Sequence, residues 1–389
     1  MNITSIDEKV YLYFFTRRKD KMKKLSCAAA VLILVLSAVN AYNPPVYGDN
    51  LFELSSPHQL INGSSSVGGA LFYASPDSLG ANPALTAKEQ RVDLNLAYTG
   101  LVSSDKANSK RYGNAFQAGI LIPFKRFVFS GYGNGTMVPF NEMNLGDSFN
   151  FKFGLAKEIT DRLIVGANVN SGIFWGAGTD WDLSANLGFV YTYGNLGFLK
   201  DFRYGVSVLN LGKNFGATTL PGLNPEKAVS SLPTIATVKA GVAGTLVQND
   251  IIKLGFAFDL TTPAFMNLIT DMGLQFAVKD MLFISVSEKL NIVELVNGAK
   301  NVMPSVGLTF RFTFDVKNND YLQKNGWSQS EMSATVAWKQ FNNTINAVSA
   351  GVDINLGLKD VTPPVIKLWL DDEDEASAVQ TIPVVGDDK

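Results

Sequence analysis

The chain has 389 residues, 46% of them hydrophobic, and carries charge on only 17%, below the roughly 25% of an ordinary soluble domain. Its formal net charge of −2 gives no basic footprint, which excludes the counterion-driven attraction on which nucleic-acid binding rests. With one cysteine, Cys27, and one histidine, His58, a disulfide framework and thiolate or multi-histidine zinc sites are excluded, and a Ser-His-Asp triad would have to use His58.

In chain order, residues 1–41 read as an export signal. Arg17, Arg18, Lys19, Lys21, Lys23 and Lys24 precede an apolar run from Leu25 to Val39, which is short of the roughly 20 apolar residues of a spanning helix. The run ends in small residues, predicting cleavage after Ala41. Residues 1–21 hold Asp7, Glu8 and the aromatic-rich Tyr11–Phe15 segment, so Met22 is the better natural start. Cys27 opens the apolar run, whereas a lipoprotein cysteine closes it; lipid anchoring is disfavoured.

Residues 42–90 are rich in Gly, Ser, Pro and Asn and contain no long strand, an extent that suits a plug folded inside a larger structure. His58 in this Ser/Pro-rich stretch reads as a solvated loop residue, and no catalytic residue is assigned.

From residue 91 to 358 the pattern is all-β. Apolar and polar residues alternate with period two, most clearly where Phe149, Phe151, Phe153 and Leu155 oppose Ser148, Asn150, Lys152 and Gly154. Val92, Leu94, Leu96 and Tyr98 oppose Asp93, Asn95, Ala97 and Thr99 in the same way, and the pattern returns over Asp182–Tyr193. The runs number fourteen: 91–102, 113–124, 126–138, 148–159, 162–175, 181–193, 203–211, 234–246, 251–260, 270–278, 281–289, 303–315, 330–341 and 344–358. Alternation fits a soluble sandwich too, because it does not say which face meets water. The lengths are nearer the roughly 9–11 residues of a tilted membrane strand than the five or six of a soluble one, and with the export signal they select a fourteen-stranded antiparallel transmembrane β-barrel. Tyr98, Phe124, Trp175, Trp181, Tyr193, Trp338 and Phe341 are placed to form interfacial girdles; each alone is equally compatible with an ordinary strand aromatic.

Within the third run, Gly131, Gly133 and Gly135 alternate with Tyr132 and Asn134. Such glycines mark a kink or bulge, or they relieve crowding against the segment 42–90 or form a turn. Residues 359–389 contain Pro363-Pro364 and the acidic run Asp371–Glu375, reading as a flexible periplasmic tail.

The segment Ala74–Leu85, with Asn82-Pro83-Ala84 just before the first strand, resembles the hatch signature of FadL-type long-chain fatty acid transporters. Asn43-Pro44-Pro45, Glu89-Gln90-Arg91 and Asn210-Leu211-Gly212 are similar to a spirochaetal branch of FadL-like barrels. The resemblance spans 43 to about 358. It implies a hatch at 42–90 plugging the lumen, a hydrophobic ligand beside it, and sideways exit at a kinked third strand, here at Gly131, Gly133 and Gly135. Asn82 is expected to cap local backbone where hatch meets barrel. Two departures stand out: the chain continues past its last strand into an acidic tail, and the sequence offers no matched basic pair for a carboxylate.

The expected function is therefore passage of long-chain fatty acids or other hydrophobic small molecules across a bacterial outer membrane by a plugged, monomeric barrel, with no enzyme activity, cofactor or metal. A general diffusion porin, which needs an open charged constriction, and a barrel serving as adhesin or secretion partner through loops 212–233 and 316–329 are the alternatives.

Overall fold

A computed structural model describes residues 51–63, 65–124, 126–140, 146–175, 179–213, 236–263, 265, 267–296, 302–314, 330–341 and 343–357. The export signal, Asn43-Pro44-Pro45, the long loops and the acidic tail lie outside them.

Fourteen strands form, as the alternation predicts: β1 (Val92–Ser103), β2 (Tyr112–Pro123), β3 (Val128–Val138), β4 (Gly146–Glu158), β5 (Leu163–Trp175), β6 (Thr179–Leu196), β7 (Leu199–Lys213), β8 (Thr237–Gln248), β9 (Ile252–Pro263), β10 (Ile269–Val278), β11 (Leu282–Asn291), β12 (Ser305–Phe314), β13 (Ser330–Phe341) and β14 (Ile345–Leu356). Each pairs antiparallel with its sequence neighbours, and β1 closes on β14 from Val92↔Leu356 to Ser103↔Ile345. Closure leaves no strand edge unpaired, the condition for a sheet to stand in hydrocarbon.

The faces are inverted relative to a soluble protein. Leu96 is 62% exposed while its neighbour Asn95 is 1% exposed. Phe151, Phe153 and Leu155 likewise face out, while Ser148, Asn150, Asp182, Ser184 and Asn186 are buried in the interior. The oily face is outside and the polar face lines the lumen, which suits a bilayer and not water.

Three expectations need correction. Phe341 points into the barrel and is buried, so it belongs to no outer girdle. A short helix, Ile292–Val296, follows β11 where only strand and loop are expected. Strand β7 begins four residues earlier than alternation predicts, because the register shifts between Lys200 and Arg203 and Asp201 takes a φ of 50°; that bulge breaks the period-two signal.

Residues 51–63 and 65–90 run through the lumen as short helical turns, including Gln59–Gly63, Pro76–Gly80 and Pro83–Lys88. The turn Pro83–Lys88 packs on β4, β5 and β6, and Gln59–Gly63 packs on β10 to β13. Leu85, Ala84 and Ala87 meet Ala156, Ile164 and Val190 of the wall in one small apolar cluster, and Val67 and Ala70 meet Ala243 and Ala257 in another.

Candidate functional site

The luminal segment is seated on the wall by polar contacts that sequence spacing alone does not reveal. Asn82 is fully buried; its Oδ1 accepts from the Ala84 nitrogen at 3.0 Å, and its Nδ2 donates to the Ser66 carbonyl at 2.7 Å and the Phe189 carbonyl at 3.1 Å. Pro83, whose ring removes a donor the first helical position does not need, and Ala84 continue this capped turn. The turn fits because β5 and β6 present glycines beneath it. A methyl group at Gly166 would lie 2.5 Å from the Ala84 nitrogen, and one at Gly188 would overlap the Asn82 oxygen.

Further anchors hold the segment. Asp259 on β9 accepts from the Ser65 hydroxyl at 2.5 Å, the Ser66 nitrogen at 2.8 Å and the Ser66 hydroxyl at 2.5 Å. Arg203 on β7 donates to the carbonyls of Val67 at 2.8 Å, Gly69 at 2.5 Å and Ala70 at 3.3 Å. Gly68 and Gly69 take φ values of 78° and 79°, left-handed geometry that glycine adopts at little cost. Glu53 sits between Lys239 of β8 and Lys289 of β11, 2.9 Å and 2.7 Å away. Burial alone would raise its carboxyl, but the two ammonium groups override this and hold it well below the usual carboxylate range.

His58 is not a solvated loop residue. It is buried, stacked on Tyr73 with ring centroids 3.9 Å apart, and its Nε2 lies 3.2 Å from Asp353 Oδ2 and 3.1 Å from Thr335 Oγ1. Both oxygens approach the same ring nitrogen, whereas a Ser-His-Asp relay places its hydroxyl and carboxylate on opposite nitrogens. The residue anchors the luminal segment to β13 and β14.

Gly131, Gly133 and Gly135 lie on the outer face of β3. Pairing with β2 and β4 runs through all three without a register break. The space above them is taken by aromatic rings: Phe153 over Gly131, Phe151 over Gly133 and Phe116 over Gly135. Asn210-Leu211-Gly212 instead marks an irregularity between β6 and β7, where Asn210 has a φ of 59° and its nitrogen donates to Asn186 Oδ1 at 2.7 Å.

A cavity of about 670 Å³ opens at the end where β1 begins and β14 ends. Its floor is Leu71, Phe72 and Tyr73 of the luminal segment against Phe283 and Met281 of the wall, and two guanidinium groups reach into it. Arg203 lies over the Phe72 ring at 5.4 Å and Arg311 over the Phe283 ring at 4.7 Å. Arg203 is committed to backbone carbonyls, whereas among the described residues the side-chain hydrogen bond of Arg311 is a single one, from Nε to Ser333 Oγ at 3.3 Å. The sequence gives no hint of this pair, because β7 and β12 meet only across the lumen.

No protein-family model matches the sequence, and no curated protein matches it. Among solved structures the chain is similar to the CymD monoaromatic hydrocarbon channel, at 10% identity and a TM-score of 0.48, over 81% of this chain and 100% of that one. It is also similar to a deltaS2 mutant of the TodX monoaromatic hydrocarbon channel, at 11% identity and TM-score 0.46, over 80% and 100% of the two chains. A FadL homologue of Pseudomonas aeruginosa follows, at 11% and 0.45, over 78% and 98%.

Proposed function

We propose that this chain is a bacterial outer-membrane barrel that carries hydrophobic small molecules past a luminal plug formed by residues 42–90. The observation that carries the reading is the cavity floored by Leu71, Phe72 and Phe283 between plug and wall. An apolar molecule gains by leaving water for such a surface, and Arg311 offers a counter-charge to a cargo with an anionic end, as a long-chain fatty acid has. The end where the chain leaves β14 carries mostly short turns, the pattern of the periplasmic side of such barrels, and this supports a periplasmic position for the cavity.

Sideways exit at Gly131, Gly133 and Gly135 belongs to the same proposal and requires Phe116, Phe151 and Phe153 to swing off β3. Asn82-Pro83-Ala84 acts as the plug's seat and not as a ligand contact. The barrel works as a monomer.

The test is mass spectrometry of lipids retained after gentle purification, joined to conductance in planar bilayers. Retained fatty acid or other apolar molecules with little steady conductance support the reading, and deleting residues 42–90 then opens the pore. Large stable channels in the intact protein, with no retained apolar molecule, support a diffusion porin instead.

A further inference from the structure

The inner faces of β3 to β6 form a continuous polar tile. Cross-strand pairing sets Asn134, Asn150, Gly172 and Asp182 in one row, Tyr132, Lys152, Asn170 and Ser184 in the next, and Ser130, Gly154, Asn168 and Asn186 in a third. All three rows face the lumen, since the alternate residues of these strands carry the exposed apolar side chains.

Part of the tile satisfies itself. Asn168 donates to Asn170, and Asn170 donates to Ser184 Oγ at 3.2 Å and to Asn186 Oδ1 at 3.1 Å. The rest does not. Asn134 and Asp182 are each 1% exposed, yet both side-chain polar atoms of Asn134, the Oδ1 of Asp182, the Oδ1 of Asn168 and the Oγ of Ser130 have no hydrogen-bond partner among the described residues. Lys152 meets the Tyr132 ring, 5.9 Å from its ammonium to the centroid, and makes no ion pair among the described residues.

The plug is a poor chemical match for this surface. It presents the Leu79 side chain to the dent at Gly154 and the Gly80 backbone to the Tyr132 hydroxyl, and takes one long hydrogen bond, from Asn186 Nδ2 to the Leu79 carbonyl at 3.5 Å. Each buried polar atom left unpaired costs about 1–3 kcal/mol. Several on one patch violate the rule that buried polar groups are satisfied, and such violations concentrate at functional sites.

We infer that this tile is a binding surface for a polyhydroxylated group, a sugar ring, which takes the place of the plug's Leu79–Gly80 face when the plug shifts. A hydroxyl donates and accepts at once, as does the side-chain amide of Asn134. Lys152 and Asp182 add one charge of each sign, so the surface suits a neutral ligand, and Tyr132 supplies a ring face for the apolar side of a sugar. The ligand is a free sugar or the sugar head of an amphiphile. The inference rests on the lumen being a passage, but not on the cargo being purely hydrophobic.

The test uses the full chain in lipid nanodiscs, with empty discs as background. Octyl β-D-glucoside and pentaethylene glycol monooctyl ether, below their micellar concentrations, compare a sugar head with a non-sugar head on the same tail. The expected result is a preference of about tenfold or more for the glucoside, falling to about unity in Asn134→Leu and in Asn168→Leu. Both variants are checked for the heat-modifiable gel mobility of a folded barrel, with Asn134→Ala as the milder substitute. Equal retention of both probes by the unaltered chain, or a preference that survives in folded variants, overturns the inference. Competition by methyl β-D-glucoside identifies a free-sugar site; its failure to compete, with the preference intact, identifies a sugar head held by its tail. Palmitate retention is measured alongside. Loss of palmitate binding with the glucoside preference intact removes the hydrophobic-cargo reading and leaves the tile, and the converse removes the tile alone.

Discussion

Gly166 and Gly188 are direct partners across β5 and β6, and the Asn82-Pro83-Ala84 turn occupies the space that side chains at these two positions would fill. A wall residue and a residue of the luminal segment therefore share one volume. Gly166→Leu or Gly188→Leu should expel the turn, at a cost of about 1–3 kcal/mol or more for overpacking, while the strand ladder persists. The expected outcome is a folded, heat-modifiable barrel with protease-accessible plug and raised conductance. Gly100→Ala, where the nearest atom to the new methyl is 3.9 Å away, is the control that should change neither. Retained plug protection in both leucine variants would show that the turn is not seated here.

Glu53 links the luminal segment to two strands, and its carboxylate makes that link depend on pH. Its folded carboxyl lies below the ordinary value of 4.5 because Lys239 and Lys289 outweigh the cost of burial. Such a group contributes stability that is complete above the unfolded value and is lost as pH falls through the folded one. Plug docking, read by limited proteolysis, should hold at neutral pH and weaken progressively below about pH 4.5. Glu53→Gln takes that carboxylate from two buried ammonium groups, costing about 3 kcal/mol. It should loosen the plug at neutral pH and flatten the acid dependence relative to the unaltered chain.

Much of the barrel was legible in the sequence because period-two alternation survives wherever a strand separates lipid from lumen, as in Phe149–Leu155 and Asp182–Tyr193. It failed where the backbone departs from that period, at the Asp201 bulge of β7. The direction of the faces was not legible: alternation at Leu96 and Asn95 is the same whether the oily side meets a core or lipid. Of the contacts that seat the luminal segment, only the local capped turn Asn82-Pro83-Ala84 was legible. Its glycine socket, the Arg203 clamp and the burial of His58 join positions more than 80 residues apart in sequence, and only closure of the ring brings them together.

Arg311 is the cavity's guanidinium with donors to spare, resting on Phe283. Arg311→Gln should lower retention of palmitate by about tenfold, the worth of one charge-assisted contact, and leave hexadecane retention unchanged, because the apolar floor is intact. Phe283→Ala should lower both. Equal loss of both ligands in Arg311→Gln would mean that the side chain supports the cavity's packing and not a charged end of the cargo.

Exit through the wall and exit through the lumen are separable at β3. Ile122 and Phe129 are outward-facing partners on β2 and β3, two residues from Gly131. Their Cα separation falls, for antiparallel partners, at about 4.5 or 5.5 Å, within disulfide reach in either case. Ile122→Cys with Phe129→Cys therefore staples β2 to β3 beside the three glycines when oxidised, in a chain whose single native cysteine, Cys27, precedes the predicted cleavage site. If cargo leaves sideways by parting these strands, oxidation should reduce uptake of palmitate into proteoliposomes by about tenfold or more, and reductant should restore it. Phe116, Phe151 and Phe153 cover the glycines, so the staple tests whether that cover moves as a wall segment or stays fixed. Undiminished uptake with the disulfide fully formed would place the exit in the lumen and leave the glycines as room for the aromatic rings alone.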